Sequence, residues 1–255
     1  MQLAEQFDLD GRVAVVTGGT RGIGRAITEG LAAAGADVVP TSRTRADVDA
    51  AVATVEDHGG DSLAVTTDVS EDSDLETLFD RTADDLDGVD VLVNNAGINP
   101  DEALGSPERV DPEGFDQTLS VNLRAAFRCV QEAAPHLDEG GSVINVASVG
   151  GLVGLPRQHP YVASKHGLVG LTRSLALDWA PETRVNAIAP GYVTTGLTDD
   201  LQQNEELRQS IIDRTPLERF ADPEEVAGPA VFLASDAASY VTGSCLAVDG
   251  GWTCR

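Results

Sequence analysis

The stretch V-A-V-V-T-G-G-T-R-G-I-G (13–24) decides the fold of this chain. Its first five residues form an apolar, β-branched run that is typical of a buried strand, and the helical pattern R-A-I-T-E-G-L-A-A-A (25–34) follows. Gly18, Gly22 and Gly24 lie at the junction. Glycine lets the backbone turn tightly and approach a diphosphate, which the free N–H groups of a helix N-terminus then bind. The stretch therefore predicts a strand, a phosphate-binding turn and a helix.

Short apolar strands alternate with helical patterns along the whole sequence. The predicted strands are V-A-V-V-T (13–17), A-D-V-V-P-T-S (36–42), L-A-V-T-T (63–67), V-D-V-L-V-N (89–94), S-V-I-N-V-A-S (142–148), R-V-N-A-I-A (184–189) and C-L-A-V-D (245–249). Near-continuous apolar strands between helices indicate a parallel sheet that is covered on both faces. We predict an α/β protein with a doubly wound, Rossmann-like, seven-stranded parallel sheet, helices on both faces and one domain over residues 1–255. The polar stretch 192–216 follows the sixth strand, at the sheet edge where such folds bind ligands, and we expect it to form a substrate lid.

The charge of the chain limits its partners. With 42 acidic and 17 basic residues the net charge is −25, so a basic face that binds nucleic acid is not expected. The scattered carboxylates resemble those of proteins from salt-accumulating halophiles, where concentrated salt screens their mutual repulsion. An acidic mesophilic protein is the alternative. The absence of a long apolar run, the acidic N-terminus and three cysteines without a pairing pattern predict a protein of the reduced cytoplasm with no membrane partner.

The end of the second predicted strand bears on the choice of dinucleotide. An acidic residue there would accept hydrogen bonds from the ribose hydroxyls and repel a 2′-phosphate. The sequence instead has Ser42 and Arg43, and Arg21 in the glycine turn can approach the same ribose. Because a guanidinium binds a phosphate through two hydrogen bonds, we predict NADP as the preferred cofactor, with NAD possible. The alternative is that these arginines are ordinary solvated surface residues.

The segment Y-V-A-S-K (161–165) contains the only lysine of the chain. On a helix, Tyr161 and Lys165 lie one turn apart on the same face. A positive charge about 4 Å from a phenol can lower its pKa by ~3 units at an effective dielectric of about 20, which makes the phenol a useful proton donor for reducing a ketone. Ser148 can donate to the oxygen on which charge develops. Taken alone, such a pair more often marks a packed ring beside a solvated lysine, but Ser148 and the retention of a single lysine favour a catalytic pair.

Seven motifs in order resemble those of the classical short-chain dehydrogenase/reductase family, over essentially the whole chain. They are T-G-G-T-R-G-I-G (17–24), D-V (68–69), N-N-A-G (94–97), Asn122 in S-V-N-L, Ser148 in N-V-A-S, Y-V-A-S-K (161–165) and P-G-Y-V-T-T (190–195). The resemblance implies an NAD(P)-dependent oxidoreductase that interconverts a secondary alcohol and a ketone, without a metal.

The resemblance also implies roles for four catalytic residues. Tyr161 would be the general acid/base, Lys165 its activator and ribose anchor, Ser148 the stabiliser of the carbonyl oxygen and Asn122 the holder of a proton-relay water. A rival hypothesis, a non-catalytic dinucleotide-binding redox sensor, predicts damage to this set, and all four residues are intact. A purely structural scaffold would leave the glycine turn without a purpose.

The cofactor-binding residues implied by the resemblance form a larger set. Besides Tyr161 and Lys165 they are Gly18, Thr20, Arg21, Gly22, Ile23, Gly24, Ser42, Arg43, Asp68, Val69, Asn95, Ala96, Gly97, Pro190, Gly191, Val193 and Thr195. Within this set, residues 68–69 would flank the adenine, 95–97 would line the cofactor and those in 190–195 would lie against the nicotinamide.

The C-terminal half bears on the substrate. The motifs P-G-Y-V-T-T-G-L (190–197), R-T-P-L-E-R (214–219) and V-D-G-G-W (248–252) resemble the gluconate 5-dehydrogenase and 2-deoxygluconate 3-dehydrogenase branch, and somewhat less closely the 3-oxoacyl-acyl-carrier-protein reductases. We expect a sugar, sugar acid or polyol substrate, with a 3-oxoacyl thioester of acyl carrier protein or CoA as the alternative. Arg157, just before Tyr161, is a candidate for binding the carboxylate of a sugar acid.

The predicted helix that begins near Tyr161 carries apolar residues on more than one face. They are Val162, Leu168, Val169, Leu171, Leu175 and Leu177. Such a helix is buried on two sides, which predicts a subunit contact. The family resemblance suggests a homotetramer.

Overall fold

The computed structural model describes residues 3–254, with the backbone alone at residues 138 and 139. Within them, six strands form one parallel sheet in the order β2-β1-β3-β4-β5-β6. The strands are β1 (Val13–Thr17), β2 (Asp37–Thr41), β3 (Val89–Asn94), β4 (Leu137–Val146), β5 (Arg184–Pro190) and β6 (Cys245–Val248). The strand order reverses at β1, and the crevice at the carboxyl ends of β1 and β3 is where doubly wound folds bind ligands. The predicted doubly wound parallel sheet is confirmed, whereas the predicted count of seven strands is wrong.

Helices cover both faces of the sheet. They are α1 (Gly22–Ala33), α2 (Arg45–Asp57), α3 (Asp72–Leu86), α4 (Pro112–Leu119), α5 (Ala125–Ala133), α6 (His159–Trp179), α7 (Asp199–Gln203), α8 (Glu205–Arg214) and α9 (Glu224–Ala234). On one face Ile27 of α1 and Val226 of α9 share a buried core with Val16, and on the other Phe79 of α3 shares a core with Val15. Neighbouring residues of β1 thus serve both cores, because successive side chains of a strand point to opposite faces. Among residues 3–254, none of the helices has the length and apolar character that crossing a bilayer requires.

The predicted strand 63–67 joins the sheet through a single bridge, between Ser42 and Thr66. The segment runs along the outer edge of β2, where Val38 donates its N–H to the chain just before it at 3.1 Å. Two residues further on the same edge, Pro40 has no N–H to donate, so the ladder of hydrogen bonds is interrupted. The segment 63–67 therefore does not form a strand, because Pro40 stands where a backbone N–H of β2 should donate a hydrogen bond to it.

The segment between β5 and α9 contains the predicted lid. Helices α7 and α8 occupy most of residues 192–216, as two short helices. Among their described residues, α7 buries none and α8 buries Ile211 alone. The segment follows the carboxyl end of β5, the same edge at which the glycine turn follows β1, so it lies where a ligand of this fold binds.

Candidate active site

The glycine turn joins β1 to α1 through a backbone that glycine adopts most readily. Gly18 and Gly22 have φ values of 63° and 52°, in the left-handed region that side chains disfavour. A Cβ on Gly24 would overlap the carbonyl oxygen of Gly18 and Nδ2 of Asn95. In the described chain, Arg21 at the N-cap of α1 makes no capping hydrogen bond through its side chain. The N–H groups of the first turn are therefore free to bind a diphosphate.

The segment N-N-A-G (94–97) is bound to the glycine turn. Asn95 Nδ2 donates to the carbonyl oxygens of Thr17 and Gly18, both at 3.0 Å. Thr17 Oγ1 accepts from the backbone N–H groups of Asn95 and Ala96 at 3.1 and 3.2 Å. These bonds hold the carboxyl ends of β1 and β3 together. The segment 94–97 thus forms one wall of the predicted cofactor site.

Two buried hydroxyls mark the expected ribose and adenine side of the site. Ser42 Oγ and Thr67 Oγ1 are buried and have no hydrogen-bond partner among the described residues. A buried hydroxyl without a partner is unfavourable unless a ligand or water binds it, so both positions fit a bound nucleoside. Ser42 was among the predicted cofactor-binding residues, whereas Thr67 was not. Its position directly before Asp68 of the D-V motif is the sequence feature that could have indicated it.

Arg43 and Asp68 face each other at the same edge of the sheet. Arg43 Nη1 lies 3.9 Å from Asp68 Oδ2, and the Arg43 side chain is 69% exposed. The pKa of Asp68 is lowered, chiefly by the hydrogen bond from the Ser70 side chain and to a smaller extent by the charge of Arg43. Since Arg43 is exposed and only loosely paired, its guanidinium can turn to a phosphate on the ribose.

Five of the predicted cofactor-binding residues have side chains that serve the fold. Thr20, Val69, Pro190 and Val193 are buried, and Ile23 packs against the core beneath α1. Val69 in particular lies in the core that faces α3. These positions leave their backbone groups as the parts that can contact a dinucleotide.

Asn122 lies in a π-helical turn, Ser120–Arg124, between α4 and α5. Its side chain accepts from the Ile98 N–H at 2.8 Å and donates to the Ile98 carbonyl at 2.9 Å, which binds this turn to the loop after β3. A Cβ on Gly97 would lie 3.4 Å from Asn122 Oδ1 and 3.5 Å from Lys165 Nζ, so the three residues meet. Such turns recur at functional sites, and no sequence pattern predicted this one.

Lys165 is buried, with 4% of its surface exposed. Its Nζ donates to the carbonyl of Val146 at 2.8 Å and lies 5.8 Å from the centre of the Tyr161 ring. Burial lowers the pKa of Lys165 to about 8, because desolvation disfavours the ammonium. Among the described side chains no carboxylate pairs with Lys165, so its charge is available to a phenolate or to ribose hydroxyls.

Tyr161 has a different electrostatic environment from the one that the sequence predicts. Burial raises its pKa, the hydrogen bond with the Ser148 side chain lowers it, and the charge of Tyr192 raises it. Burial of the phenolate is the largest of these effects and the charge of Lys165 is not among them, so the lowering expected from Lys165 is not found in the protein alone. Ser148 Oγ accepts from the Gly150 N–H at 3.0 Å, so its own hydroxyl hydrogen is the one that it can donate to the Tyr161 oxygen or to a substrate oxygen.

The segment P-G-Y-V-T-T (190–195) closes the opposite side of the site. A Cβ on Gly191 would lie 2.8 Å from Asp249 Cα, so a larger residue does not fit there. A Cβ on Gly22 would lie 3.2 Å from the Thr195 methyl group. This segment therefore faces the glycine turn directly, as its predicted place beside the cofactor requires.

Arg157, the predicted carboxylate-binding residue, lies on the turn before α6. Its φ is 63°, and its carbonyl accepts from the Gly105 N–H at 3.0 Å. The side chain is exposed and makes no hydrogen bond or ion pair within the described chain. Beside it, Asn99 Nδ2 donates to Gln158 Oε1 at 3.0 Å, and Asn99 Oδ1 is buried without a partner in residues 3–254. These two amides, absent from the sequence prediction, add polar contacts near the start of α6.

Comparisons with known proteins agree with this geometry. A 2-dehydro-3-deoxy-D-gluconate 5-dehydrogenase from Escherichia coli is 39% identical over 254 residues, which cover 98% of both chains. A 3-oxoacyl-[acyl-carrier-protein] reductase FabG from Staphylococcus aureus is 38% identical over 242 residues, 93% of this chain and 96% of that one. The crystal structure of a gluconate 5-dehydrogenase from Burkholderia cenocepacia, in complex with NADP and tartrate, superposes with a TM-score of 0.94 at 33% identity and covers 100% of both chains.

Two further matches establish the family. A family model described as enoyl-(acyl carrier protein) reductase matches residues 18–253. The short-chain dehydrogenase/reductase SDRA from Arabidopsis thaliana is 39% identical over 249 residues, 97% of this chain and 96% of that one. The chain belongs to the short-chain dehydrogenase/reductase family.

Proposed function

We propose that this protein is an NADP-linked dehydrogenase that interconverts a secondary alcohol and a ketone on a sugar acid or a related sugar or polyol. The observation that carries the proposal is Lys165, the only lysine, which is buried 5.8 Å from the centre of the Tyr161 ring. A buried ammonium without a carboxylate partner is unfavourable. In this family, a lysine at this position would stabilise the tyrosine phenolate and bind the ribose of the cofactor. The structural relative named a gluconate 5-dehydrogenase, in complex with NADP and tartrate, supports the choice of substrate and cofactor.

The proton chemistry is divided among Tyr161, Ser148, Lys165 and Asn122. When bound, NADPH supplies the hydride that the carbonyl carbon of the substrate accepts. Tyr161 gives its phenolic proton to the carbonyl oxygen, and Ser148 donates a hydrogen bond to that oxygen as negative charge develops. Lys165 stabilises the phenolate that remains, and Asn122 holds the water that returns the proton. In the direction of oxidation, the phenolate accepts the alcohol proton.

Substrate class is tested by a panel of ketoses, sugar acids, polyols and 3-oxoacyl thioesters, assayed with NADP(H) in molar KCl. We expect the highest kcat/KM on a sugar acid, and we expect Tyr161→Phe to abolish turnover of every substrate while the protein stays folded. Turnover that survives in Tyr161→Phe would contradict the proposed chemistry.

A second candidate function is the reduction of a 3-oxoacyl thioester carried by acyl carrier protein or CoA. The 38% identity to the FabG protein favours it. Both reactions use the same proton chemistry, since each reduces a ketone to a secondary alcohol. The same panel separates them, because a highest kcat/KM on a thioester would replace the sugar acid.

Arg21, Arg43 and Ser42 would give NADP its advantage over NAD. The Arg43 side chain is 69% exposed and the Ser42 hydroxyl is unpaired among the described residues, so both can bind a 2′-phosphate. We expect Arg43→Ala to lower kcat/KM for NADPH by roughly 10- to 100-fold and to leave NADH nearly unchanged. Arg45→Ala, which removes an ion pair with Asp49 on α2, is the control. A wild-type preference for NAD would contradict the assignment.

The surface of α4, α5 and α6 supports a homotetramer. An apolar groove of about 590 Å³ lies there, lined by Asp116, Leu119, Ser120, Leu123, Arg124, Phe127 and Leu171. Phe127 is 40% exposed and Phe115 of α4 is 37% exposed. Exposed apolar surface of this kind commonly marks a subunit contact. Light scattering at high salt should give a tetramer, and a monomer would contradict it.

Residues 192–216 are proposed as a lid over the substrate within a single catalytic domain. Leu197 and Leu207 of this segment are 57% and 47% exposed. A segment with few buried apolar contacts opens at low cost in free energy, as a lid must.

The net charge of −25 supports a halophilic protein. Concentrated salt screens the repulsion among its carboxylates and favours the compact state. Thermal unfolding should therefore move to higher temperature between dilute and molar KCl. An unchanged Tm, with activity kept for days in dilute buffer, would contradict the halophile assignment.

A further inference from the structure

Arg214 stands out among the arginines of the described chain. Most arginines within residues 3–254 are paired, as Arg12 is with Asp90 at 2.7 Å. Arg214, the last residue of α8, makes no ion pair or hydrogen bond through its side chain in that part of the protein, although the sequence has 42 acidic residues against 17 basic ones. Its neighbour Asp213 instead accepts a hydrogen bond from Gln209 at 2.7 Å. Arg214 is exposed, so its guanidinium is accessible to an anion from solution.

The guanidinium of Arg214 lies over the face of an aromatic ring. Its Cζ lies 4.3 Å from the ring centre of Trp252, a side chain that is only 6% exposed. The indole is fixed in turn by the Tyr192 ring, at 4.8 Å and 64°, and by a cluster with Val149 and Ile211. A cation stacked on an aromatic ring uses the face of the guanidinium and leaves the N–H groups at its edge free. Arg214 is therefore prearranged to bind a planar anion through two hydrogen bonds.

The same cluster reaches the proposed catalytic residues. Val149 directly follows Ser148 in the sequence, and Tyr192 follows Gly191 at the end of β5. Burial raises the pKa of Tyr192 and the charge of Arg214 lowers it. Tyr192 in turn contributes to the raised pKa of Tyr161, after burial and the Ser148 hydrogen bond. Tyr192 is thus the common neighbour of Arg214 and Tyr161.

The other unpaired arginines near the lid lack this support. Arg157 is exposed on the turn before α6, and no aromatic ring or ion pair of the described chain holds its guanidinium. Arg208 lies on α8 like Arg214, but has no stacking partner within residues 3–254. Arg208 is therefore a matched control on the same helix.

We propose that Arg214 binds the carboxylate of the substrate, through two edge N–H groups of a guanidinium that Trp252 holds by its face. This assignment rests on the proposed sugar-acid dehydrogenase function and replaces Arg157 as the carboxylate-binding residue. It makes Arg214 a specificity residue, because a neutral polyol of the same length offers no anion to it. It also means that the proposed lid itself binds the substrate, since Arg214 is the last residue of α8.

The test compares gluconate with sorbitol, its neutral analogue, as substrates with NADP at constant KCl. In Arg214→Met we expect kcat/KM for gluconate to fall about 10- to 100-fold, mainly through KM, and sorbitol to change less than about twofold. Arg214→Lys should recover part of the loss, because a lysine keeps the charge but not the paired N–H groups. Arg208→Met should behave as wild type. Equal losses on gluconate and sorbitol, an equal loss in Arg208→Met, or a gluconate-specific loss in Arg157→Met would each overturn the proposal.

A binding measurement separates this proposal from the proposed reaction. In a Trp179→Phe background, Trp252 is the remaining tryptophan, and its fluorescence should change when gluconate binds beside Arg214. Gluconate binding that requires Arg214, without turnover of any sugar acid, would support the carboxylate site and contradict the proposed function. Turnover of sugar acids with binding that is unchanged in Arg214→Met would overturn the site alone. A loss that Arg214→Met shows on 3-oxoacyl thioesters but not on gluconate would also overturn it.

Discussion

The cofactor end and the substrate end of the site are built in opposite ways. At the cofactor end, Asn95 and Thr17 close two strands together through hydrogen bonds of 3.0 to 3.2 Å. At the proposed substrate end, α7 and α8 bury Ile211 alone among their described residues, and Trp252 packs between Ile211 and Val149, the residue after Ser148. The cofactor end is therefore fixed by the backbone of the sheet, while the substrate end is held by a few side chains and can adapt to a substrate.

The largest expected effect is at the lysine between the two ends. Lys165→Arg should lower kcat roughly 10²- to 10⁴-fold, because the wide guanidinium does not place a compact charge on a phenol and a ribose together. Circular dichroism should show an unchanged fold. Arg45→Lys, a cation exchange on the exposed face of α2, is the control and should keep full activity. Turnover close to wild type in Lys165→Arg would mean that a buried charge of any shape suffices.

The rigidity of the cofactor end is tested by two glycines. Gly24→Ala should lower the free energy of unfolding by about 1–3 kcal/mol and abolish dinucleotide binding, because its Cβ overlaps the Gly18 carbonyl. Gly228→Ala in α9 has no atom within 4 Å of its Cβ and should gain about 0.4–1 kcal/mol. Urea unfolding at fixed KCl measures both. Similar changes in the free energy of unfolding for the two variants would show that the backbone of the glycine turn can shift to accommodate a Cβ.

The burial of Lys165 should be visible in the pH dependence of stability. Its pKa is about 8 in the folded protein, below the ordinary value of 10.5. Between these values the unfolded chain binds more protons, so stability rises with pH through this window, and below it the full cost of burying the ammonium remains. Lys165→Met should be more stable than wild type at neutral pH and should lack this rise. A variant with the wild-type pH profile would contradict the burial of a charged lysine.

The smallest change in the free energy of global unfolding is expected for a variant in the proposed lid. Asn204 caps α8 by accepting from the Leu207 N–H at 3.1 Å, and Asp111 caps α4 by accepting from the Glu113 N–H at 2.9 Å. Removing either cap with alanine costs its helix about 1 kcal/mol. We expect α8 to open independently of the rest of the protein, so Asn204→Ala should speed hydrogen exchange in α8 and barely change global unfolding, unlike Asp111→Ala. Equal losses of global stability would show that the lid unfolds with the rest of the protein.

Much of the sheet could be predicted because the apolar residues of a buried strand can be recognised from that strand's own sequence. Val15 and Val16 serve opposite cores, so β1 is apolar from Val13 to Val16 and recognisable as a buried parallel strand. The segment 63–67 has a similar apolar and β-branched composition, but its pairing depends on Pro40 in another strand. Strand composition does not reveal whether a partner can donate a hydrogen bond, which is why one strand too many was predicted.

The site was predictable where neighbours in sequence are neighbours in space. The helical spacing of Tyr161 and Lys165 brings the ammonium 5.8 Å from the ring centre, but their pKa values follow from burial, which spacing does not contain. The stacking of Arg214 on Trp252 joins the end of α8 to the C-terminal segment, and no local pattern predicts it. Long-range packing is therefore what the sequence leaves out, and it is concentrated at the substrate end.

The most direct test of the account is steady-state NADPH oxidation with a keto sugar acid in molar KCl, by the wild type and by Tyr161→Phe. We expect rapid oxidation by the wild type that depends on the keto acid, and none above background in Tyr161→Phe. Oxidation by both proteins at the same rate, or by neither with any member of the substrate panel, would contradict it.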